Sequence, residues 1–267
     1  MKKLLSILLA GVLVVGATGC SSNDSAESSK IVVGATVVPH AELLNLVKED
    51  LLAEGIELEV QEFSDYSLLN PALVSGDLDA NFFQHQPFLD QYNADANSDL
   101  VSLGGIHVEP LRVYSNKITS VDDLADGDTV GLSNDATNEG RALLLLQSLG
   151  VITLDPEAGL TATPKDIVEN PKNLEFVELD PFLLPPTLDD LAIALISTNI
   201  AIEGGLDINS SIAVEGSDSE YVNIIAVKNE NKDNPNLVKL IEALQSDKVA
   251  TYIEENYDGS VVAAFTK

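Results

Sequence analysis

Apolar residues recur along this chain in two rhythms. A short run at residues 30–35, KIVVGA, predicts a buried strand. Residues 41–54 place Leu43, Leu44, Val47 and Leu51 on one face of a helix, which Gly55 ends. Residues 56–62, IELEVQE, alternate as a second strand. This β-α-β opening predicts a parallel sheet with ligand groups gathered at the C-terminal ends of its strands. His40 and Tyr66 fall near those ends, and His40 is read as a helix-start residue. A short helix follows at 70–75.

Further strands are predicted at 100–103, 111–115, 128–132, 174–179, 192–196 and 221–227. Helical stretches separate them: one begins at 120–124 with Ser120 as N-cap, and one follows the polar turn SNDATNEGR and ends at Gly150. Two more close the chain at 236–245 and 247–255, with Pro235 at the start of the first. The strands near 111 and 221 read as two crossings between lobes, which predicts a two-lobed α/β protein.

Residues 76–89, GDLDANFFQHQPFL, form the densest chemical stretch. They hold three of the seven phenylalanines and one of the three histidines. A strand buried on both faces is not expected to carry Asn81, Gln84 and His85 so close together, and a surface loop would not expose Phe82, Phe83 and Phe88. An apolar wall with a few placed polar groups suits a small-molecule pocket. The competing reading is a short core strand, LDANFF, followed by a polar turn at Pro87.

Composition narrows the function classes. With 267 residues and 45% hydrophobic content, the chain can bury a sizeable core. Its 43 acidic residues against 14 basic give a net charge of −29. That argues against nucleic acid or an anionic membrane surface as partner. There are only two arginines, Arg112 and Arg141. Arg112 is read as an ordinary ion pair. Arg141 sits just inside the helix after the polar turn, where it could take a ligand carboxylate bidentately beside free N–H groups of the first turn. Equally, it could only bridge Glu139 or a neighbouring residue.

Cys20 is the only cysteine, so no intrachain disulfide forms, and the three spread histidines give no zinc pattern. No metal and no cofactor are predicted. Residues 1–19 read as a signal peptide: Lys2 and Lys3, an apolar run from Leu4 to Val15, then small residues. The ATGC ending resembles a bacterial lipobox, with Ala17 where Leu is usual. That implies cleavage before Cys20 and attachment of lipid, including palmitate, to it. Residues 20–29 form a tether, and the only membrane contact is through the lipid, on the extracytoplasmic face.

The stretches VGATVVPHAE, GDLDANFFQHQPF, NDATNEGRALLLL, VENPKNLEFVEL and EALQSDKV together resemble the methionine-binding lipoprotein family of bacterial ABC importers, in family order across nearly the whole chain. The resemblance implies a periplasmic-binding-protein fold, type II-like, with the ligand cleft between two lobes. The implied boundaries are 30–110 plus 225–267 for lobe 1 and 111–224 for lobe 2 with the crossings. It implies a monomer that captures L-methionine, with a permease and its ATPase as partners. Aromatics Tyr66, Phe83 and Phe88 would surround the ligand side chain, Phe88 standing where tyrosine is usual. His85, Arg141 and Asn223 match family residues, and Tyr221 beside Asn223 is placed at the ligand with them. At 197–200 the family reads NGNY, whereas this chain has Ser197, Thr198, Asn199 and Ile200. Asn199 is kept, and Ser197 would have to replace an asparagine.

Three other classes stand beside this reading. One is a receptor for another apolar amino acid or a methionine-containing dipeptide. One is a surface adhesin or antigen with a vestigial cleft. A hydrolase using Asp77, Asp79 and His85 has no GxSxG motif or metal spacing behind it, so no enzyme activity is predicted. The group that takes a ligand ammonium is left open by the sequence.

Overall fold

In the computed structural model, residues 29–216 and 220–265 are described. The signal peptide, Cys20 and the tether up to residue 28 lie outside them. The chain opens with β1 (Ser29–Ala35), α1 (Glu42–Ala53), β2 (Ile56–Glu62), α2 (Tyr66–Ser75), β3 (Ala80–His85) and α3 (Gln86–Ala96). β4 (Leu100–Val108) and β5 (Arg112–Tyr114) flank the first crossing, and β6 (Thr129–Ser133) leads into α4 (Ala136–Ser148). A small hairpin of β7 (Thr153–Leu154) and β8 (Ile167–Glu169) precedes β9 (Glu175–Leu179) and β10 (Ile193–Ile196). Then come α5 (Thr198–Glu203), β11 (Ala213–Val214), β12 (Val222–Lys228), α6 (Pro235–Leu244), α7 (Asp247–Tyr257) and β13 (Val262–Ala263).

Two sheets organise these elements. The first has six strands in the order β13-β4-β12-β3-β1-β2, and the second has five in the order β11-β5-β10-β6-β9. β1, β2 and β3 pair in parallel, as the β-α-β opening predicts, while β12 enters antiparallel between β3 and β4. β12 pairs with β4 from Val222 onward.

Each sheet has its own core. Leu43, Leu44, Val47 and Leu51 of α1 are fully buried in the first, beside Val33 and Phe82. Burying each such side chain contributes roughly 1.5–3 kcal/mol. In the second, Leu143 and Leu146 of α4 pack with Val130, Leu132 and Ile193. Gly140 lets α4 approach the 160–162 turn: a Cβ there would lie 2.2 Å from the Leu160 carbonyl oxygen.

Several local expectations change. The helix predicted at 70–75 begins at Tyr66, because Asp65 caps it by accepting from Ser67 N. Pro87 does not make a turn: it sits in the first turn of α3, where its missing N–H costs nothing. Residues 104–108 continue the strand that starts at Leu100. The stretch 198–203 is a short helix.

Candidate functional site

The register of the first sheet gathers side chains that lie far apart in sequence. Asn223 on β12 stands opposite His85 of β3 on one side and His107 of β4 on the other. His40, just past β1, closes the group: its Nδ1 lies 2.7 Å from Thr36 Oγ1 and its Nε2 3.1 Å from Asn223 Oδ1. With the Thr36 hydroxyl donating to Nδ1, His40 Nε2–H donates to Asn223 and turns its amide nitrogen the other way. His40 is thus a buried bracing residue, not a simple helix start. Burial lowers its pKa to about 4, against the pull of Glu109.

Glu109 lies on the first crossing, in a segment with no local signal to mark it. His107 Nε2 donates to its Oε1 at 2.8 Å, and Asn199 N, in the first turn of α5, donates to its Oε2 at 2.7 Å. Burial is the largest single influence and opposes its ionisation, but the His107 hydrogen bond, the neighbouring His40 and His107 rings and the Asn199 N–H together outweigh it and hold the carboxyl below its usual range. A carboxylate has about four acceptor sites, so roughly two remain.

One ligand atom each of His40, His107 and Glu109 lie within 4.8 Å of one another, a donor set that could in principle hold a cation. A metal on His107 Nε2 would put the ring proton on Nδ1, which is buried with no hydrogen-bond partner. The trio therefore fits a hydrogen-bonded network better than a metal site. His85 does not join it: its Nε2 donates to Asn138 Oδ1 at 3.0 Å, and its Nδ1 accepts from Phe88 N at 3.2 Å. Burial, reinforced by the nearby Arg141 charge, lowers the His85 pKa to about 3.

The second lobe supplies α4 and α5. The start of α4 is already capped: Asp135 accepts from Asn138 N at 3.0 Å and from the Asn138 side chain at 2.9 Å. It is therefore less open to a ligand carboxylate than the sequence suggests. Arg141 projects from α4 and is 3% exposed. Its Nε donates to Glu215 Oε1 at 3.0 Å, its Nη2 to Glu215 Oε2 at 2.5 Å, and Nη2 also to the Glu109 carbonyl at 2.7 Å. The guanidinium carbon sits 4.3 Å above the Tyr221 ring. So the neighbouring acid that engages Arg141 is Glu215, not Glu139, and a full bidentate fork is not left for a ligand. Arg112 pairs with no acid among the described residues: its Nη1 donates to the Ile208 carbonyl and to Ser211 Oγ.

Between the lobes lies a cavity. Tyr66, Phe83 and Phe88 form its apolar wall, with ring centroids 5.5–6.3 Å apart. Gln84, His85 and Asn223 of the first lobe also line it, with Asn138, Arg141, Ser197 and Asn199 of the second and Glu109 between. Tyr221 does not line it; it backs Arg141 instead. The lobes touch directly across it, through His85 to Asn138 and through Asn199 Nδ2, which donates to Tyr66 Oη at 2.7 Å. The cavity measures about 20 Å³ for the centre of a water-sized sphere, room for about one water. A larger guest requires the lobes to part or the wall to move.

The polar residues of the 76–89 stretch divide. β3 is buried along its whole length, contrary to the expectation that Asn81, Gln84 and His85 exclude this. The reason is a closed amide network: Gln84 Nε2 donates to Asn70 Oδ1 and Asn81 Oδ1, Asn70 Nδ2 to Gln84 Oε1, and Asn81 Nδ2 to Asn70 Oδ1. Asp79 accepts from Val32 N and Asp77 from Ser75 Oγ, which gives both carboxylates local structural bonds.

Two α/β lobes joined by crossing segments, with a cavity where they meet, define a solute-binding protein of the periplasmic class. A family profile described as NlpA lipoprotein matches residues 31–265, and the chain belongs to that family. The D-methionine-binding lipoprotein MetQ of Escherichia coli O157:H7 is 44% identical over 250 residues, 91% of this chain and 91% of that protein. The methionine-binding lipoprotein MetQ of Bacillus subtilis (strain 168) is 40% identical over 275 residues, 98% of each. A nutrient binding protein from Burkholderia cenocepacia, in a structure bound to methionine, is 44% identical with a TM-score of 0.86, covering 88% of this chain and 100% of that one. Family membership makes the chain a membrane lipoprotein of the solute-binding kind and not an enzyme. No helix among the described residues is long and apolar enough to cross a membrane.

Proposed function

We propose that this chain is a lipid-anchored extracytoplasmic receptor that captures L-methionine and delivers it to an ABC permease and its ATPase. The observation that carries the reading is one interlobe cavity with an aromatic wall facing a floor of placed charges and amides. Tyr66, Phe83 and Phe88 hold the side chain, where a thioether gains about 0.3–1.5 kcal/mol at aromatic edges. Glu109 takes the ammonium. The free Nη1 of Arg141 and the amide nitrogen of Asn223 take the carboxylate, with Ser197 and Asn199 beside them. Cys20 is the anchor. Lobe 1 comprises residues 30–110 and 225–267, and lobe 2 residues 111–224 with the crossing segments. The names of the relatives, D-methionine-binding and methionine-binding, support methionine as the ligand.

The test is thermal unfolding of residues 21–267 after ligand is stripped by unfolding and refolding, with each amino acid added in turn. At 100 times Kd, binding adds about 2.7 kcal/mol to stability. We expect the largest rise in melting temperature with L-methionine. A larger rise with D-methionine reverses the stereochemical part alone. No rise with methionine of either hand, from a cooperatively folding sample, overturns the reading.

A further inference from the structure

Arg141 carries five N–H donors. Three are spent inside the protein: Nε–H and one Nη2–H on Glu215, the other Nη2–H on the Glu109 carbonyl. Among the described residues no hydrogen bond involves Nη1, so only that end of the fork faces a guest. Glu215 is not a loose surface acid. Its Oε2 also accepts from Leu111 N at 3.1 Å, which ties it to the first crossing, and its side chain is 17% exposed. The Arg141–Glu215 pair is therefore built in and formally neutral. Glu109, with lone pairs to spare, is the acid on the cavity floor that has no arginine or lysine partner among the described residues; its own hydrogen bonds come from His107 and Asn199 N. His85 adds no positive charge at neutral pH, because burial keeps its ring neutral.

Resting on the reading of the cavity as an amino-acid site, we propose that Glu215 is a specificity-determining residue: as the resident counter-ion of Arg141, it makes the site grip a ligand chiefly by its ammonium group rather than its carboxylate. A neutralised guanidinium offers a carboxylate hydrogen bonds from Nη1 but little net charge. Glu109 offers an ammonium both. The ligand class follows: primary amines bearing a short apolar thioether or alkyl chain, tolerant of change at the carboxyl end.

The experiment is calorimetric titration of refolded, ligand-free protein with three probes: L-methionine, L-methioninamide and 4-methylthiobutanoate. The second lacks the carboxylate charge, and the third lacks the ammonium. For the unmodified chain we expect the amide to bind within roughly 10-fold of methionine and the deamino acid at least about 100-fold more weakly, tenfold being about 1.4 kcal/mol. Glu215→Gln keeps an acceptor for Arg141 and removes the charge. It should raise affinity for the deamino acid by about 10-fold and lower that for the amide, narrowing the ratio between them. Equal losses for the two analogues, or a greater loss for the amide, overturn the proposal without any variant. So does an unchanged ratio in Glu215→Gln that melts as cooperatively as the parent. If methionine itself fails to bind the unmodified chain, the receptor reading fails and this inference with it. If methionine binds and only the analogue ratio disagrees, the receptor stands and the role of Glu215 falls.

Discussion

Two polar clusters lie a few residues apart and obey opposite rules. In the amide network, the side-chain oxygens of Asn70, Asn81 and Gln84 all accept from one another's amide nitrogens. In the interlobe cluster, Arg141 keeps Nη1 unspent, Glu109 keeps spare lone pairs, and Ser197 caps α5 without a side-chain bond. The first is sealed and serves the fold. The second keeps hydrogen-bonding capacity open toward a cavity, which is how a site prepares for a polar guest. Residue type does not separate the two, since Gln84 and His85 are neighbours. What separates them is whether the hydrogen bonds are closed.

Acid should separate the clusters most strongly. The amides do not titrate. His40 and His85 are held neutral, with pKa lowered to about 4 and about 3 against an ordinary value near 6.5. A folded-state pKa below the unfolded one gives stability that is complete above about pH 6.5 and is lost as pH falls toward those values. Each tenfold difference in proton affinity between folded and unfolded chain is worth about 1.4 kcal/mol, so the loss near pH 4 should reach several kcal/mol. Denaturant unfolding between pH 7 and pH 4 measures it. His40→Gln should flatten part of the slope; a slope unchanged by that substitution assigns the acid sensitivity elsewhere.

Breaking the sealed cluster comes next. Gln84→Leu strands the Asn70 amide and Asn81 Oδ1 in the core and should cost about 3 kcal/mol of unfolding free energy, since each orphaned buried group costs about 1–3 kcal/mol. Arg141→Ala should act mainly on the open cluster. It should weaken methionine binding roughly 10-fold, about 1.4 kcal/mol, by removing the Nη1 donors. If Gln84→Leu proved neutral for stability, or Arg141→Ala neutral for binding, the division into closed and open clusters would be wrong.

Much of this architecture is legible in the amino-acid sequence. The β-α-β opening, the apolar face of α1 and the aromatic wall follow from period and residue type, because those signals are local. Motifs in sequence order also bring Tyr66, Phe83, Phe88, Arg141, Asn199 and Asn223 to one place. What escapes is long-range pairing. Glu109 and Asn138 line the cavity, but each looks ordinary in its own segment. Nothing near Arg141 in sequence points to Glu215, 74 residues away. The convergence of His40 and His107 depends on β12 lying between β3 and β4, which no spacing rule gives. Closure of the amide network is invisible for the same reason: Asn70 comes from α2 and its partners from β3.

The smallest effect tests the open cluster at its rim. Ser197 lines the cavity, and it makes no side-chain bond to α5. Ser197→Asn would offer a longer side chain that can reach either the first-turn N–H groups of α5 or a guest in the cavity. Capping alone is worth at most about 1 kcal/mol and would raise the melting temperature without ligand. One added ligand hydrogen bond is worth about 0.5–1.5 kcal/mol and would tighten methionine up to roughly 10-fold. The Asn side chain is also bulkier, and the cavity measures only about 20 Å³. Tighter binding without a gain in ligand-free stability would therefore mean that the rim opens to accept the extra atoms, as an open cluster should. Higher stability with weaker binding would mean that the amide had turned back onto the helix, closing its hydrogen bonds as the Asn70 network does.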